Sequence, residues 1–470
     1  MAKLSKREIR KLKESLTLPA KPAWERMSSS QRKEALALSE EYKRFLDAAK
    51  TERMAVKAVA ETAAEAGFKP LPKGRGKWIV TWREKVVALV VRGKSPLTEG
   101  LRIVAAHLDA PRVDLKVRPL YEHEGLAFLK TQYYGGIRKH QWLARPMAIH
   151  GVVCTAEGKR IEIHLGEGDE EPVFTFLDLL PHLAYKQAEK KLSQAFEGER
   201  MNLLVGGVGL DGAESEGVKL GVLKLLHERY GITEADLVSA ELEIVPAGRA
   251  RDVGLDRSMV GGYGQDDRIC VFCALHALTR LKTQPHHWAV ALFVDKEEIG
   301  SDGATGAKSR WVEELVGSLL ELEGGAGYMQ IRRALAASQA ISADVTAALD
   351  PDYPEVHDGR NAARLGWGVA VNKYTGSRGK YSANDADAEY LGWLRGVWEK
   401  AGVIWQAGAM GKVDEGGGGT IAKYLAALGM EIVDAGPALL SMHSPFEISH
   451  KADVYWTARA YQAFFSAGGR

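Results

Sequence analysis

Three things are scarce or missing in this chain, and each closes off a class of protein. Cysteine is nearly absent: only Cys154, Cys270 and Cys273 occur in 470 residues. That odd, small number argues against a disulfide scaffold and points to a reducing, cytoplasmic setting. The Cys270-x-x-Cys273 spacing has no second pair to complete a thiolate metal site. It lies in an apolar stretch, so it reads as core packing. No apolar run approaches the roughly 20 residues that cross a bilayer, and the charged N-terminus lacks the apolar segment of a secretory signal. Charge of one sign is missing too. Lys plus Arg is 63 and Asp plus Glu is 61, so there is no global electrostatic case for nucleic acid or an anionic membrane as a partner.

The chain does contain 46% hydrophobic and 26% charged residues, ordinary for a soluble globular protein and long enough for two or three domains. Residues 1–16 are basic, with Leu4, Ile9, Leu12 and Leu16 at helical spacing. They read as an amphipathic arm for a neighbour or as a frayed tail. A helical region runs from Ser28 to Ala66, opened by a Ser28/Gln31 capping box and stopped at Gly67, with a break near Lys50-Thr51. A hairpin is expected over Trp78 to Val91. From Lys116 to about Ile244 the α/β alternation stops. Aromatics (Tyr121, Phe128, Tyr133, Tyr134, Trp142) and β-like runs take over, and Gly206 to Gly209 reads as a flexible loop. Strand and helix signals then alternate again to the closing helix at His450 to Phe465. The expectation is an α/β fold with a doubly wound, mostly parallel sheet built from residues 1–115 and 246–470. Residues 116–245 form an inserted β-rich domain, a candidate for subunit contacts.

The chemistry concentrates where expected strands end. The run Ala289 to Val294 stops at Glu297-Glu298. The pair is either a solvated acidic turn or two carboxylates with divided labour, one for a metal and one for a proton. A strand from Leu101 ends at His107, and Asp109 two residues on points the same way in an extended chain. It is thus placed to support the imidazole. Asp266-Asp267 lies in a glycine-rich turn just before a helix, where capping is the plain alternative. Asp344 ends a strand from Ala340, and His443 sits in Ser441-Met-His443-Ser-Pro445. A doubly wound sheet gathers such ends into one crevice. Two imidazoles and three carboxylates (His107, Asp266, Glu298, Asp344 and His443) suit two divalent cations of zinc, cobalt or manganese type. If one carboxylate bridges them, the ions lie roughly 3.5–4 Å apart. Glu297 is then the spare carboxylate, free to move a proton.

Taken in order, these motifs resemble the aspartyl aminopeptidase and vacuolar aminopeptidase I family of co-catalytic zinc metallopeptidases. His107-Leu-Asp-Ala-Pro111 is similar to that family's His-Thr-Asp-Ser-Pro. Tyr134-Gly-Gly followed by His140-Gln-Trp142 resembles its Tyr-Gly-Gly and His-Thr-Trp segment. Glu297-Glu-Ile-Gly-Ser301, Ser342-Ala-Asp344 and Ser441-Met-His-Ser444 match its Glu-Glu-Val-Gly-Ser, Ser-Ala-Asp and Met-His-Ser. Asp414-Glu-Gly-Gly-Gly-Gly-Thr420 and Lys373-Tyr-Thr-Gly376 look like the bacterial branch. The resemblance implies an aminopeptidase acting on peptides with a free N-terminus. Asp266 would bridge two zinc ions, with His107 and Asp344 on one and Glu298 and His443 on the other. Glu297 would be the general base, and Asp109 would orient His107. The insertion would make dimers that assemble into a tetrahedral dodecamer, and His140 would reach a neighbour's site. Leu108 stands where the family has Thr. Ile137-Arg-Lys139 replaces a shorter Leu-Trp, and Met-Ala-His is missing after Asp344. These departures touch no ligand, but they loosen any transfer of acidic specificity. Lys373, Arg378, Lys380 and His357 are candidate contacts for an acidic substrate side chain, or plain loop charges. Gly416 to Gly419, Gly418 included, would offer N–H groups to substrate, or form a tight turn capped by Thr420. The rival readings are a metal-dependent deacylase or carboxypeptidase, and a catalytically inactive oligomeric scaffold.

Overall fold

The computed structural model describes residues 4–18 and 21–468. The N-terminal arm is a helix, α1 (Lys6–Leu16), closed by a Ser5/Glu8 capping box, and none of its residues is buried. Residues 1–3 of the expected arm lie outside the described residues. The long helical region is two helices, α2 (Ser29–Ala48) and α3 (Glu52–Glu65), broken at Ala49–Thr51. Ser28 caps α2 by accepting from Gln31 N, with Gln31 reciprocating, and Thr51 caps α3 by accepting from Met54 N. A capping hydroxyl directs the chain out of one helix and into the next, which is why the break falls there.

Along the chain follow the strands β1 (Val86–Val91), β2 (Leu101–His107), β3 (Arg112–His123), β4 (Leu126–Tyr134) and β5 (Ala240–Pro246). After them come helix α4 (Gln265–Thr279), strands β6 (Trp288–Val294), β7 (Gln339–Ser342) and β8 (Glu431–Gly436), and the closing helix α5 (Lys451–Ser466). Strands β1, β6, β2, β7 and β8 are consecutive members of a nine-stranded sheet. It is parallel from β6 through β8 and antiparallel where β1 joins β6. The Trp78 to Val91 hairpin is present, with Lys77–Trp82 against β1.

Period-two alternation explains why this sheet is covered on both faces. Val87, Leu89, Val104, Ala106, Ala289, Ala291 and Phe293 enter a core beneath α2, α3, α4 and α5. Their neighbours Val86, Ala88, Val90, Ile103, Ala105, Val290 and Leu292 enter a second core, beneath the helices Trp311–Glu321 and Tyr328–Ala336. Each fully buried aliphatic side chain contributes about 1.5–3 kcal/mol, so a sheet buried on both faces is a rigid platform. Cys270 and Cys273 are buried in the first core.

A second, seven-stranded sheet is built from strands lying between Arg112 and Pro246, all antiparallel, with β3, β4 and β5 at its centre. It has its own core around Val113, Trp142, Ile149 and Ile244. Two of its features differ from the sequence expectation. Gly206 ends a strand, Leu203–Gly206, rather than opening a loop. The segment Gly217–Tyr230 is a helix, stopped by Gly231 in the left-handed region at φ 72°. Among the described residues no helix is long and apolar enough to cross a membrane.

Candidate metal centre

Register brings the candidate ligands together. Val294 of β6 is level with His107 of β2, and Ser342 of β7 is level with Ala105. The residues just beyond β6 and β7 therefore emerge beside His107. After β6 the chain turns through Lys296 (φ 67°) into a single helical turn, Glu297–Ile299, ended by Gly300 (φ 96°). That turn presents the N–H groups of Glu297 and Glu298 to the Asp109 carboxylate, at 3.1 Å each.

Asp266 occupies the mouth between the strands. It follows Gly264, which enters α4 in the left-handed region at φ 70°. Its own φ and ψ, −78° and 105°, are not helical, so the side chain leaves the helix axis and faces the strand ends. Its two oxygens divide between the two histidines. Oδ1 lies 3.2 Å from His107 Nε2, and Oδ2 lies 3.1 Å from His443 Nε2. Both imidazoles are oriented from behind by main-chain carbonyls. His107 Nδ1 donates to the Asp109 carbonyl at 3.0 Å, and His443 Nδ1 donates to the Gly136 carbonyl at 2.8 Å. Each Nε2 is thereby aimed at Asp266, the arrangement expected of metal-bound histidines. Asp109 does stand behind His107, but its carboxylate is at 3.4 Å from the ring. That carboxylate mainly holds the Glu297–Glu298 turn and accepts from the Tyr134 hydroxyl at 3.0 Å.

The structure brings all five proposed ligands into two overlapping groups. Donor atoms of His107, Asp266 and Asp344 lie within 4.8 Å of one another, as do those of Asp266, Glu298 and His443. Glu297 joins His107 and Glu298 in a third such group. The electrostatics show what the donors require. Burial pushes the Asp344 and Glu298 carboxyls well above their usual range, with Asp267 and Asp266 respectively adding to the shift. Burial raises Glu297 to about 7, with Asp109 and Asp266 contributing. Burial works against the His443 cation, yet Asp266 and Glu298 lift it to about 10. Too many buried carboxylates share too little positive charge. Nitrogen and oxygen donors in that state fit divalent cations of the zinc type.

Of two further contributors, one escaped the sequence reading and the other was read only as a motif without a role. Glu447 accepts from His443 N at 2.8 Å through one oxygen. Through the other it accepts from Gln265 N at 2.6 Å and Asp266 N at 3.2 Å. It staples the backbones of two ligands from a buried position. His443 itself adopts φ 63°, strained for a residue with a side chain, and the staple holds it there. The second contributor is the Tyr134-Gly135-Gly136 turn. A short acidic residue after Ser-Pro-Phe carries no local signal, and neither does a backbone carbonyl.

The proposed substrate contacts scatter. Gly418 lines a cavity of about 110 Å³ beside Asp344, together with Arg378, Lys380 and Asn372. Gly417–Gly418 pairs with Gly376–Ser377 as a short ladder. Lys373 and Lys380 both bind Asp385, at 2.6 Å each. His357 accepts from Asp350 N at 3.2 Å. His140 packs against Phe196, ring centroids 5.7 Å apart, and belongs to none of the three donor groups.

This architecture has relatives. A probable M18 family aminopeptidase 1 of Clostridium acetobutylicum is 48% identical over 456 residues, covering 95% of this chain and 98% of that protein. The crystal structure of an M18 family aminopeptidase from Thermotoga maritima superposes with a TM-score of 0.92 at 47% identity, covering 96% of this chain and all of that one. The S. cerevisiae mApe1 dodecamer shares the fold, with a TM-score of 0.72 at 21% identity over 91% of this chain and 95% of that one. The family model of the aminopeptidase I zinc metalloproteases, M18, matches residues 45–465, and the chain belongs to that family.

Proposed function

We propose that the protein removes N-terminal residues from short peptides with two divalent cations, most simply zinc, held around Asp266. The observation that carries this reading is the division of the Asp266 oxygens, one toward each imidazole at 3.2 and 3.1 Å. His107 and Asp344 would complete one ion's protein ligands, and Glu298 and His443 the other's. Such ions, when bound, supply Lewis acidity toward a peptide carbonyl and make water acidic enough to ionise near neutral pH.

Glu297 is the general base of this proposal. It sits beside His107 and Glu298, its carboxyl is lifted to about 7, and its backbone is fixed by Asp109. A carboxylate so poised accepts a proton from the attacking water and returns it to the leaving amine. Gly418 and the cavity beside Asp344 receive the side chain of the departing residue. Residues 1–115 and 246–470 form the catalytic unit. Residues 116–245 are an inserted dimerisation domain, and the dimers assemble as a tetrahedral dodecamer in the cytoplasm. His140, outside the donor groups of its own chain, serves a neighbouring subunit's site. Enclosure of that kind limits substrates to short, unfolded peptides.

Glu297→Gln tests the assignment. Zinc content and particle size stay unchanged while kcat on aminoacyl-p-nitroanilides falls about 10²–10⁴-fold. Wild-type turnover by that variant rejects Glu297 as the base. Cleavage of N-acetylated but not free-amine substrates favours the deacylase reading instead.

A further inference from the structure

The metal centre is assembled where central strands of the nine-stranded sheet end, and the seven-stranded sheet reaches it through the turn after β4. Strand β4 ends at Tyr134, and the next two residues turn over the ligands. The Tyr134 hydroxyl donates to Asp109 Oδ2 at 3.0 Å. The Gly136 carbonyl accepts from His443 Nδ1 at 2.8 Å. Between them Gly135, at φ 73°, lies so close to Glu298 that a Cβ there would be 3.3 Å from Glu298 Cβ. One turn thus touches both halves of the centre, through Asp109 on the His107 side and directly on the His443 side.

The tyrosine is itself immobilised. Its ring faces the Arg112 guanidinium, 3.9 Å from the ring centroid. Arg112 is buried and held by Asp114 at 2.8 Å, Glu243 at 3.3 Å and Glu52 at 3.4 Å. Glu52 begins α3, against the nine-stranded sheet, whereas Glu243 belongs to β5 of the other sheet. Burial, with the Asp109 charge adding, keeps the phenol protonated and therefore a donor. Asp109 has no freedom left once Tyr134, Glu297 N and Glu298 N are all bound to it.

We propose that Tyr134 is a positioning residue of the metal centre, a strut from the seven-stranded sheet that locks the Asp109 carboxylate and, through it, the Glu297–Glu298 turn that carries the general base and a ligand. The inference rests on the two-cation reading of the site. A carboxylate that accepts three hydrogen bonds has one orientation; with the phenol removed it can rotate, and the Glu297–Glu298 turn loosens. Partners of this kind behind a ligand typically change metal affinity or activity by about 10–100-fold.

The test compares wild-type holoprotein with Tyr134→Phe, full-length, each challenged with graded chelator while zinc retention, kcat, KM and melting temperature are recorded. Phenylalanine keeps the ring against Arg112, so melting shifts by only a few degrees. The variant should release zinc at roughly 10–100-fold lower chelator and lose about 10–100-fold in kcat, with KM changing less than about threefold. In an Asp109→Asn background the same replacement should cost less than about threefold, because the partner is already altered. Wild-type zinc retention and kcat in Tyr134→Phe overturn the proposal, as does a full, additive loss in the Asp109→Asn background. A wild-type protein that holds no zinc at these residues overturns the site reading itself, a result distinct from either.

Discussion

The two histidines of the centre stand on opposite kinds of backbone. His107 ends a central parallel strand and is 1% exposed, its level set by ladder pairing with β6 and its neighbour Ala105 paired to β7. His443 lies in a loop at φ 63°, its side chain one-third exposed. Sheet register positions the first half. The second half is positioned by hydrogen bonds: its N–H donates to Glu447, four residues on, and its ring to the carbonyl of the distant Gly136. The difference teaches that a site can be half architecture and half polar network. The network half should be the one that single polar substitutions take apart.

Glu447→Gln is the sharpest way to break that symmetry. An amide nitrogen would face main-chain donors that now meet carboxylate oxygens. The expected outcome is a zinc affinity about 10–100-fold weaker for the ion at His443, with a smaller loss for the ion at His107, because Glu447 also holds the backbone of the shared Asp266. Metal analysis after graded dialysis against chelator reads it directly. Equal loss of both ions would mean that the two halves are not held independently.

Acidity probes the same contrast. In the metal-free protein the His443 ring is protonated up to about 10, because Asp266 and Glu298 outweigh its burial. A cation must therefore displace that proton. Zinc affinity rises with pH toward 10 and falls as pH drops, by about tenfold per pH unit for each proton released. Titration calorimetry in buffers of different ionisation enthalpy measures the release. An affinity flat between pH 6 and 8 would contradict the network.

The smallest effect is expected at Lys373. Its ion pair with Asp385 is half-exposed, and such pairs contribute about 0–1 kcal/mol. Lys373→Ala should leave the KM for aspartyl-p-nitroanilide unchanged and stability nearly so. A rise in that KM would restore Lys373 as a substrate contact.

Much of the first half was legible in the amino-acid sequence, because its signals are local. An apolar run that stops at His107, or at Glu297-Glu298, announces a strand end, and parallel sheets gather strand ends. The break between α2 and α3 was legible for the same reason, since Ser28 and Thr51 cap within three residues. Of the second half, the ligands Glu298 and His443 were legible, but not what holds His443 in place. Glu447 binds Asp266 across 181 positions, and Gly136 meets His443 across 307. Neither contact leaves a periodicity or a spacing. The helix Gly217–Tyr230 was hidden differently. It follows a polar, glycine-rich stretch and has no cap from its own N-cap residue; its first N–H groups donate instead to Glu122, 96 and 97 positions away. Gly417 and Gly418 read as a turn, whereas they form a ladder with Gly376 and Ser377, a partner no local pattern names.

If the proposed site is right, Asp266 is shared by two cations, one on the architectural half and one on the network half. Diffraction from zinc-loaded crystals, collected on both sides of the zinc absorption edge, tests it most directly. Two anomalous peaks per subunit are expected, roughly 3.5–4 Å apart. One should lie against His107 and Asp344, the other against Glu298 and His443, with an Asp266 oxygen on each. A single peak, or two peaks that do not both contact Asp266, would contradict it.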